Sequence, residues 1–486
     1  MPLRRARLTA STAQSELAES LAVLRTELAI PETFPADALA EADAVGATPP
    51  RLDLRDVPFV TLDPAGALDL DQAFHLERSG SGWRVRYAIA DVPGFVAPGG
   101  AVDAEARKRG QTLYAPDGTV PLHPPAVGED KASLLPGRDR PAHVWSFDLD
   151  DAGAATSSRV ERAWIRSRAQ LDYVTTERAL DAGDADSPAA LLPEVGRARL
   201  EQERLRGGAS LNLPDEEIVR DASGAYDIRR RRPLPLEDWN AQLSLLTGLA
   251  AAEMMLEAGV GILRTMPAAD DVAVAAFRAR TAALGMPWGT DVPYGEYLRR
   301  LDRDDPQTLA VLQAAASLFR GAGYAAFDGR RPADAMQAAV AAPYAHVTAP
   351  LRRLVDRWGL VVCESISSGT EVPGWVRESL PAVPRLMQAS TDRASRLSSG
   401  SIDRVEAALL KDRIGDTFTA WVLEVHDGRA RIQLTEPVVT SSCRVADSVR
   451  AGMTLTVRLL QADIAKGTVE FTAADSNTFR QEEAAS

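Results

Sequence analysis

The sequence predicts an α+β protein: a mixed β-sheet with surrounding helices, preceded by a short helical unit and followed by a five-stranded barrel of the OB type. Three observations carry that prediction. Strand-type patterning runs from about residue 55 to 165, and helical periodicity dominates from about 170 to 412. Five short strand-like segments, separated by turn residues, then lie within about 60 of the last 75 positions.

The elements follow in order. Leu17, Leu21, Leu24 and Leu28 recur at helical steps, Pro31 and Pro35 break the pattern, and 36–44 forms a second short helix. This unit spans 1–50; its leucine stripe reads as a docking face, and the unit as an element that guides RNA if nucleic acid proves to be the substrate. Strands are predicted at 57–62, 83–90 and 143–149, with a hairpin turn at Gly80-Ser-Gly82. Helices are predicted at 173–182, 190–207, 236–259, 271–285, 306–318, 351–366 and 384–410. These elements together make a unit over 55–410. Strands at 418–425, 429–434, 440–445, 455–460 and 468–472 make the barrel, within 411–475, and 476–486 reads as a disordered tail. Barrels of this type hold single strands by stacking. Phe418, Trp421 and Phe471 are candidate stackers, although at least two of them are expected to fill the core.

Composition excludes several classes. The chain has 486 residues, 45% of them hydrophobic and 25% charged, and only two cysteines, so neither a disulfide framework nor a cysteine zinc site is expected. No apolar run reaches the roughly 18–20 residues that cross a bilayer. A cytoplasmic, monomeric protein with no membrane association is expected. The net charge of −13 argues against nucleic acid, but three basic groups are locally dense: Arg162, Arg166 and Arg168; Arg229 to Arg232; and Arg352, Arg353 and Arg357. An acidic exterior around a basic channel satisfies both.

The stretch Thr61-Leu-Asp63-Pro-Ala-Gly-Ala-Leu-Asp69-Leu-Asp71-Gln72 carries the chemistry. Its carboxylates are interleaved with residues that favour burial. Side chains two apart on an extended segment share a face, so Asp69 and Asp71 converge, and the Pro64–Gly66 turn returns Asp63 toward them. Crowded carboxylates repel, and hard oxygen donors suit magnesium or manganese. A strand, turn and strand with incidental aspartates fits the spacing equally well.

Further motifs follow in a fixed order: Ala88-Ile-Ala-Asp91-Val, Asp103-Ala-Glu-Ala-Arg107, Arg109-Gly-Gln-Thr-Leu-Tyr114, Ala132-Ser-Leu-Leu-Pro136, Arg206-Gly-Gly-Ala209 and Tyr344-Ala-His346-Val-Thr348-Ala-Pro350-Leu-Arg352-Arg353-Leu-Val-Asp356. Together with the aspartate cluster and the terminal barrel, they resemble the ribonuclease II (RNB) family of processive 3′→5′ exoribonucleases over residues 55–473. The resemblance implies hydrolysis of single-stranded RNA from its 3′ end to nucleoside 5′-monophosphates. It implies magnesium, or manganese in its place, held by Asp63, Asp69 and Asp71, with Gln72 able to add an amide oxygen. Arg352 is the expected stabiliser of charge on the phosphate, Tyr114 the stacking platform for the terminal nucleotide, and Tyr344, His346, Thr348 and Arg353 further RNA contacts. The departures are specific. Gln72 stands where the family has a fourth Asp, Ala349 where it has Ser, and Leu354 where it has Tyr. No Glu in 390–401 matches the family's late glutamate, and the first 50 residues do not read as cold-shock barrels. A catalytically weakened RNA-binding protein on the same fold is the alternative.

Overall fold

The computed structural model describes residues 12–209, 215–220, 226–231, 233–302, 306–316 and 318–474. The expected tail at 476–486, Arg232, and part of the glycine-bearing segment after Arg206 lie outside them.

Two helices open the chain, α1 (Thr12–Glu27) and α2 (Ala36–Ala44), as the leucine periodicity and the two prolines predict. Leu17, Leu21, Leu24 and Leu28 are all buried, so the stripe is a docking face. After β1 (Leu52–Asp53) and β2 (Thr61–Asp63) comes the antiparallel pair β3 (Gln72–Ser79) and β4 (Gly82–Ala90). Helix α3 (Ala101–Arg109) leads into a hairpin of two three-residue strands, β5 (Leu113–Ala115) and β6 (Gly118–Val120). The long strands β7 (Asp139–Leu149) and β8 (Ala155–Arg166) and the short β9 (Gln170–Asp172) complete this region.

The main sheet has the order β1-β8-β7-β4-β3 and is buried on both faces. Val85, Tyr87, Ile89, Trp145 and Phe147 point to one core, whereas Ala88, Ala90, Ala142 and Val144 point to the other. That two-sided burial explains why the second half of β4, Tyr87 to Ala90, is apolar throughout, whereas Arg84 and Arg86 alternate with apolar residues in its first half. The predicted strand at 57–62 is displaced: only Thr61–Asp63 is strand, pairing in parallel with β9, while Val60 bridges Phe74 of β3 in the main sheet.

Helices α4 (Tyr173–Asp181) and α5 (Leu192–Arg206) follow, then the paired β10 (Asp215–Arg220) and β11 (Tyr226–Arg231), and the 24-residue α6 (Pro235–Ala258). Strand β12 (Val260–Thr265) precedes α7 (Asp271–Ala283), α8 (Tyr294–Arg300) and α9 (Pro306–Ala316), and pairs with β13 (Gly323–Asp328). These strand pairs interrupt what local patterning presents as an all-helical stretch. Val260 pairs with Asp328, a partner too distant for periodicity to reveal. The small pair β14 (Met336–Gln337) and β15 (Ala342–Pro343) leads to α10 (Leu354–Ser368), α11 (Gly374–Ser379) and the long α12 (Val383–Leu410).

The last five strands, β16 (Thr417–His426), β17 (Arg429–Leu434), β18 (Thr440–Arg444), β19 (Thr454–Asp463) and β20 (Thr468–Ala473), close into a barrel of order β16-β17-β18-β20-β19. Phe418 and Phe471 meet edge to face inside it, with ring centroids 6.0 Å apart, and Trp421 is left partly exposed. Among the described residues, no helix is long and apolar enough to cross a membrane.

Candidate active site

Asp63 ends β2 in register with Asp172 of β9. The chain then turns, with the Ala67 N–H donating to the Pro64 carbonyl at 3.1 Å, and runs through 67–70 to Asp71, whose carbonyl accepts from the Ala90 N–H of β4 at 2.9 Å as β3 begins. Ser133 pins this stretch from below. Its hydroxyl donates to the Leu68 carbonyl (2.6 Å) and accepts from the Leu70 N–H (3.0 Å), and Leu70 is fully buried. Asp69 and Asp71, which flank Leu70, end in different surroundings: Asp69 is partly exposed, whereas Asp71 is 4% exposed. The Leu351 N–H donates to Asp71 Oδ1 at 2.7 Å, tying the acidic segment to the distant 344–356 segment.

Burial raises both inner carboxylates. Asp63 is pushed up to about 7, held back by the Arg352 charge and raised further by Asp69. Asp71 is pushed up to about 8, again opposed first by Arg352. Asp63 Oδ2 is buried without a hydrogen-bond partner. Arg352 is therefore the cation that both carboxylates share. Its Nε lies 3.4 Å from Asp71 Oδ2, and its side chain is 48% exposed.

The position of Arg352 corrects the sequence reading. Helix α10 begins at Leu354, so Arg352 lies in a turn before the helix and not in its first turn. The Asp356 carboxylate builds that turn, accepting from the Ala349 N–H at 2.7 Å and gripping the Arg353 guanidinium with both oxygens at 2.8 and 2.9 Å. An acid in the first turn also suits the helix dipole. Arg353 is thereby committed to Asp356, while its neighbour Arg352 projects toward the carboxylates.

Tyr114, on β5, is 58% exposed and lies near Asp69, Asp71 and Arg352, whose charges act on its hydroxyl. Gln72 is drawn into the scaffold: its Oε1 accepts from the Tyr87 hydroxyl at 2.6 Å and its Nε2 donates to the Thr348 carbonyl at 2.6 Å. Thr348 is buried, with its hydroxyl 2.7 Å from that of Ser244. His346 pairs through Nδ1 with the Tyr324 hydroxyl at 2.8 Å, and burial beside three arginines holds it neutral, well below the usual range. Tyr344 stands edge-on to His346 and fits only because α6 presents Gly248 there. A Cβ at that position would lie 2.1 Å from the Tyr344 ring.

The remaining basic groups are structural where they are described. Arg162 pairs with Asp91, Arg166 with Asp139, Arg231 with Glu237, and the buried Arg357 with Asp103 at 2.5 Å. Two cavities flank the centre. One of about 640 Å³ is bordered by Gln72, Arg352, Tyr173, Asn240, Ser244 and Tyr344. Another of about 270 Å³ lies by Asp69, Tyr114, Thr112, His123 and Leu351. Tyr87, Tyr173, Asn240 and Ser244 were not singled out from sequence. Each sits in an ordinary strand or helix pattern, and only the packing of α4, α6 and β4 around the centre gives it significance. Among the described residues, no three His, Cys, Asp or Glu side chains converge closely enough to hold a metal ion by themselves.

An α+β domain with a carboxylate–arginine–tyrosine centre, joined to a closed five-stranded barrel, defines the class. Residues 51–361 match the RNB domain, and residues 416–474 match the RNase II-type exonuclease C-terminal S1 domain. The chain belongs to the RNB family. It is 27% identical over 410 residues to ribonuclease R of Escherichia coli, a match covering 77% of this chain and 49% of that one. The chain thus spans about half the length of the curated relatives it matches first. Its fold is that of Mycoplasma genitalium RNase R, solved in complex with ribose methylated single-stranded RNA (TM-score 0.86, 16% identity, 94% of this chain and 78% of that). It is also similar to yeast Ssd1, a pseudonuclease (TM-score 0.69, 18% identity, 89% and 54%).

Proposed function

We propose that this chain is a processive hydrolytic 3′→5′ exoribonuclease that degrades single-stranded RNA to nucleoside 5′-monophosphates. The observation that carries the proposal is Arg352. It is the one arginine of its cluster left half exposed, it faces two carboxylates that burial has raised, and it stands beside an exposed tyrosine ring.

Nucleases of this family depend on a divalent metal. The residues fit magnesium, with manganese as a substitute. Mg²⁺ is usually held by one or two carboxylates, substrate phosphate oxygens and water rather than by a protein cage. Asp63, with its unpartnered buried oxygen, and Asp71 would hold it, with Asp69 at the rim; when bound, it would activate water and neutralise charge on the phosphate. The protein's own groups do the rest. Arg352 offers a guanidinium fork to the equatorial oxygens as charge develops. Tyr114 gives the terminal base a face, which every base can use. Gln72, Thr348 and Ser244 hold the wall of the larger cavity in place, and Asp356 orients the turn from which Arg352 projects. A reducing cytoplasmic setting suits the two buried free cysteines.

The test is 5′-labelled single-stranded RNA with magnesium. Stepwise shortening from the 3′ end is expected. Asp71→Asn should lower turnover by at least about 100-fold while RNA affinity stays within a few-fold, since it removes a carboxylate charge and leaves the cavity. Full-length RNA retained in a shifted band would instead identify an RNA-binding protein without turnover. Gln72, engaged by Tyr87 and Thr348, is the observation that favours that second reading.

A further inference from the structure

The hairpin that carries Tyr114 is too small to hold itself. Each strand has three residues, and isolated two-stranded hairpins are marginal in water. Its support comes from the N-terminal helices together with α12 and the turn at Arg352, whose carbonyl accepts from the Thr112 N–H at 3.0 Å. Arg25, in the last turn of α1, pairs with Asp117 in the hairpin turn at 2.5 Å, and both side chains are largely shielded (16% and 23% exposed). Beneath this pair, Leu24, Leu28 and Ile30 form one buried cluster with Leu113 and Val120 of the hairpin and Leu397 of α12. Leu113 precedes Tyr114 in the chain, so the cluster fixes the inward face of β5 while Tyr114 points outward.

The segment after α1 also fixes the root of the hairpin. Helix α3 has no side-chain cap of its own; Glu41 of α2 supplies one, accepting from the Ala101 N–H at 2.6 Å. At the other end of α3, the Arg109 guanidinium donates to the Thr33 carbonyl at 2.8 Å and lies 3.7 Å from the Phe34 ring centroid. Gly110 then turns the chain at φ +74°, against Ser390 of α12, directly into the hairpin. Both ends of α3 and the tip of the hairpin are thus held by residues 24–41.

We infer that residues 24–41 form a positioning brace for Tyr114, with Arg25–Asp117 as its latch, and that this brace sets how tightly the 3′-terminal nucleotide is gripped. The inference rests on the proposed role of Tyr114 as a stacking platform. Arg25 acts through the hairpin and touches none of the reacting groups, so its loss should appear in grip rather than in chemistry.

The experiment uses the full chain with Arg25→Gln, Arg25→Lys and the charge swap Arg25→Asp/Asp117→Arg. In Arg25→Gln, KM for short RNA is expected to rise about five- to tenfold with kcat within twofold, an effect of a lost, partly buried charged hydrogen bond. Arg25→Lys and the swap should recover most of it. Hydrogen exchange supplies a readout independent of turnover: amides of residues 112–120 should exchange at least several-fold faster in Arg25→Gln, with α10 unchanged. Wild-type turnover with unaltered KM in Arg25→Gln would overturn the effect on grip and leave the exonuclease reading standing. Unaltered exchange at 112–120 would overturn the brace itself. A wild-type chain that shortens no RNA would sink the exonuclease reading, and with it the effect on grip, while the exchange result still decides the brace.

Discussion

At position 72 an amide stands where a carboxylate would add another negative charge beside Asp71. The amide's two ends are used differently: the oxygen takes the Tyr87 proton and the nitrogen serves the Thr348 carbonyl. A carboxylate can do the first but not the second. Gln72→Glu would set an acceptor against the Thr348 carbonyl and crowd a carboxylate that burial already holds at about 8. The expected cost is about 1–3 kcal/mol at pH 8, measured by urea unfolding; unchanged stability would mean that the Thr348 bond contributes nothing. The same economy separates Arg352 from Arg353. Sequence favours Arg352 over its neighbour Arg353, and Asp356 supplies the physical reason by gripping Arg353. His346 is absorbed in the same way, by Tyr324.

At the scale of elements, the barrel divides its aromatic residues by strand pleat. Phe418 and Phe471 are 5% exposed and face each other inside, whereas Trp421 is partly exposed on β16. Phe471→Ala should therefore destabilise the chain by about 3–5 kcal/mol through the cavity it leaves. Trp421→Ala should change stability by less than about 1 kcal/mol yet weaken single-stranded RNA binding by about 1–3 kcal/mol if a base stacks there. Thermal unfolding and filter binding on both variants separate the roles; equal losses of stability would show that Trp421 belongs to the core. The order and periodicity of these elements were legible. The strand pair β12–β13 was not, because pairing at long range leaves no mark on local pattern and this pair joins residues about 60 positions apart; the local hairpin β10–β11 was also missed, as a short strand pair set between two helices.

The whole molecule buries titratable groups whose shifts oppose one another. Asp63 at about 7 and Asp71 at about 8 keep protons in the folded state that the unfolded chain releases near pH 4. Without metal, stability therefore rises as pH falls from 9 to 6.5, with a slope of up to about 1.4 kcal/mol per pH unit for each group. Below about 6.5 the histidines act with the opposite sign. His123 at about 4, His143 at about 3 and His346 well below its usual range stay neutral when folded, and burial lowers His75 as well, while the unfolded chain takes up their protons; Asp91, raised by burial to about 6, acts with the carboxylates. Those terms offset the carboxylates, so metal-free stability should rise from pH 9 to 6.5 and then level. Asp71→Asn should remove much of that rise, and magnesium, which favours the ionised carboxylates, should flatten it. Denaturant unfolding in a chelator across this range is the check; a wild-type profile flat above pH 6.5 would show that the carboxylates titrate normally.

The sequence by itself determined which chemistry this chain could support. Burial-prone residues interleaved with Asp63, Asp69 and Asp71, a tyrosine after an Arg-Gly-Gln-Thr-Leu run, an arginine after Pro350 and five closing strands are local signals, each legible in its own stretch of chain. Only the tertiary structure decided how those groups divide their work. It buried Asp71 and left Asp69 at the rim, spent Arg353 and Gln72 on the scaffold, freed Arg352, and set residues 24–41 against the Tyr114 hairpin. The reason is physical. Burial and hydrogen-bond partners are properties of neighbours in space, and here those neighbours lie as far apart in the chain as Asp71 and Leu351.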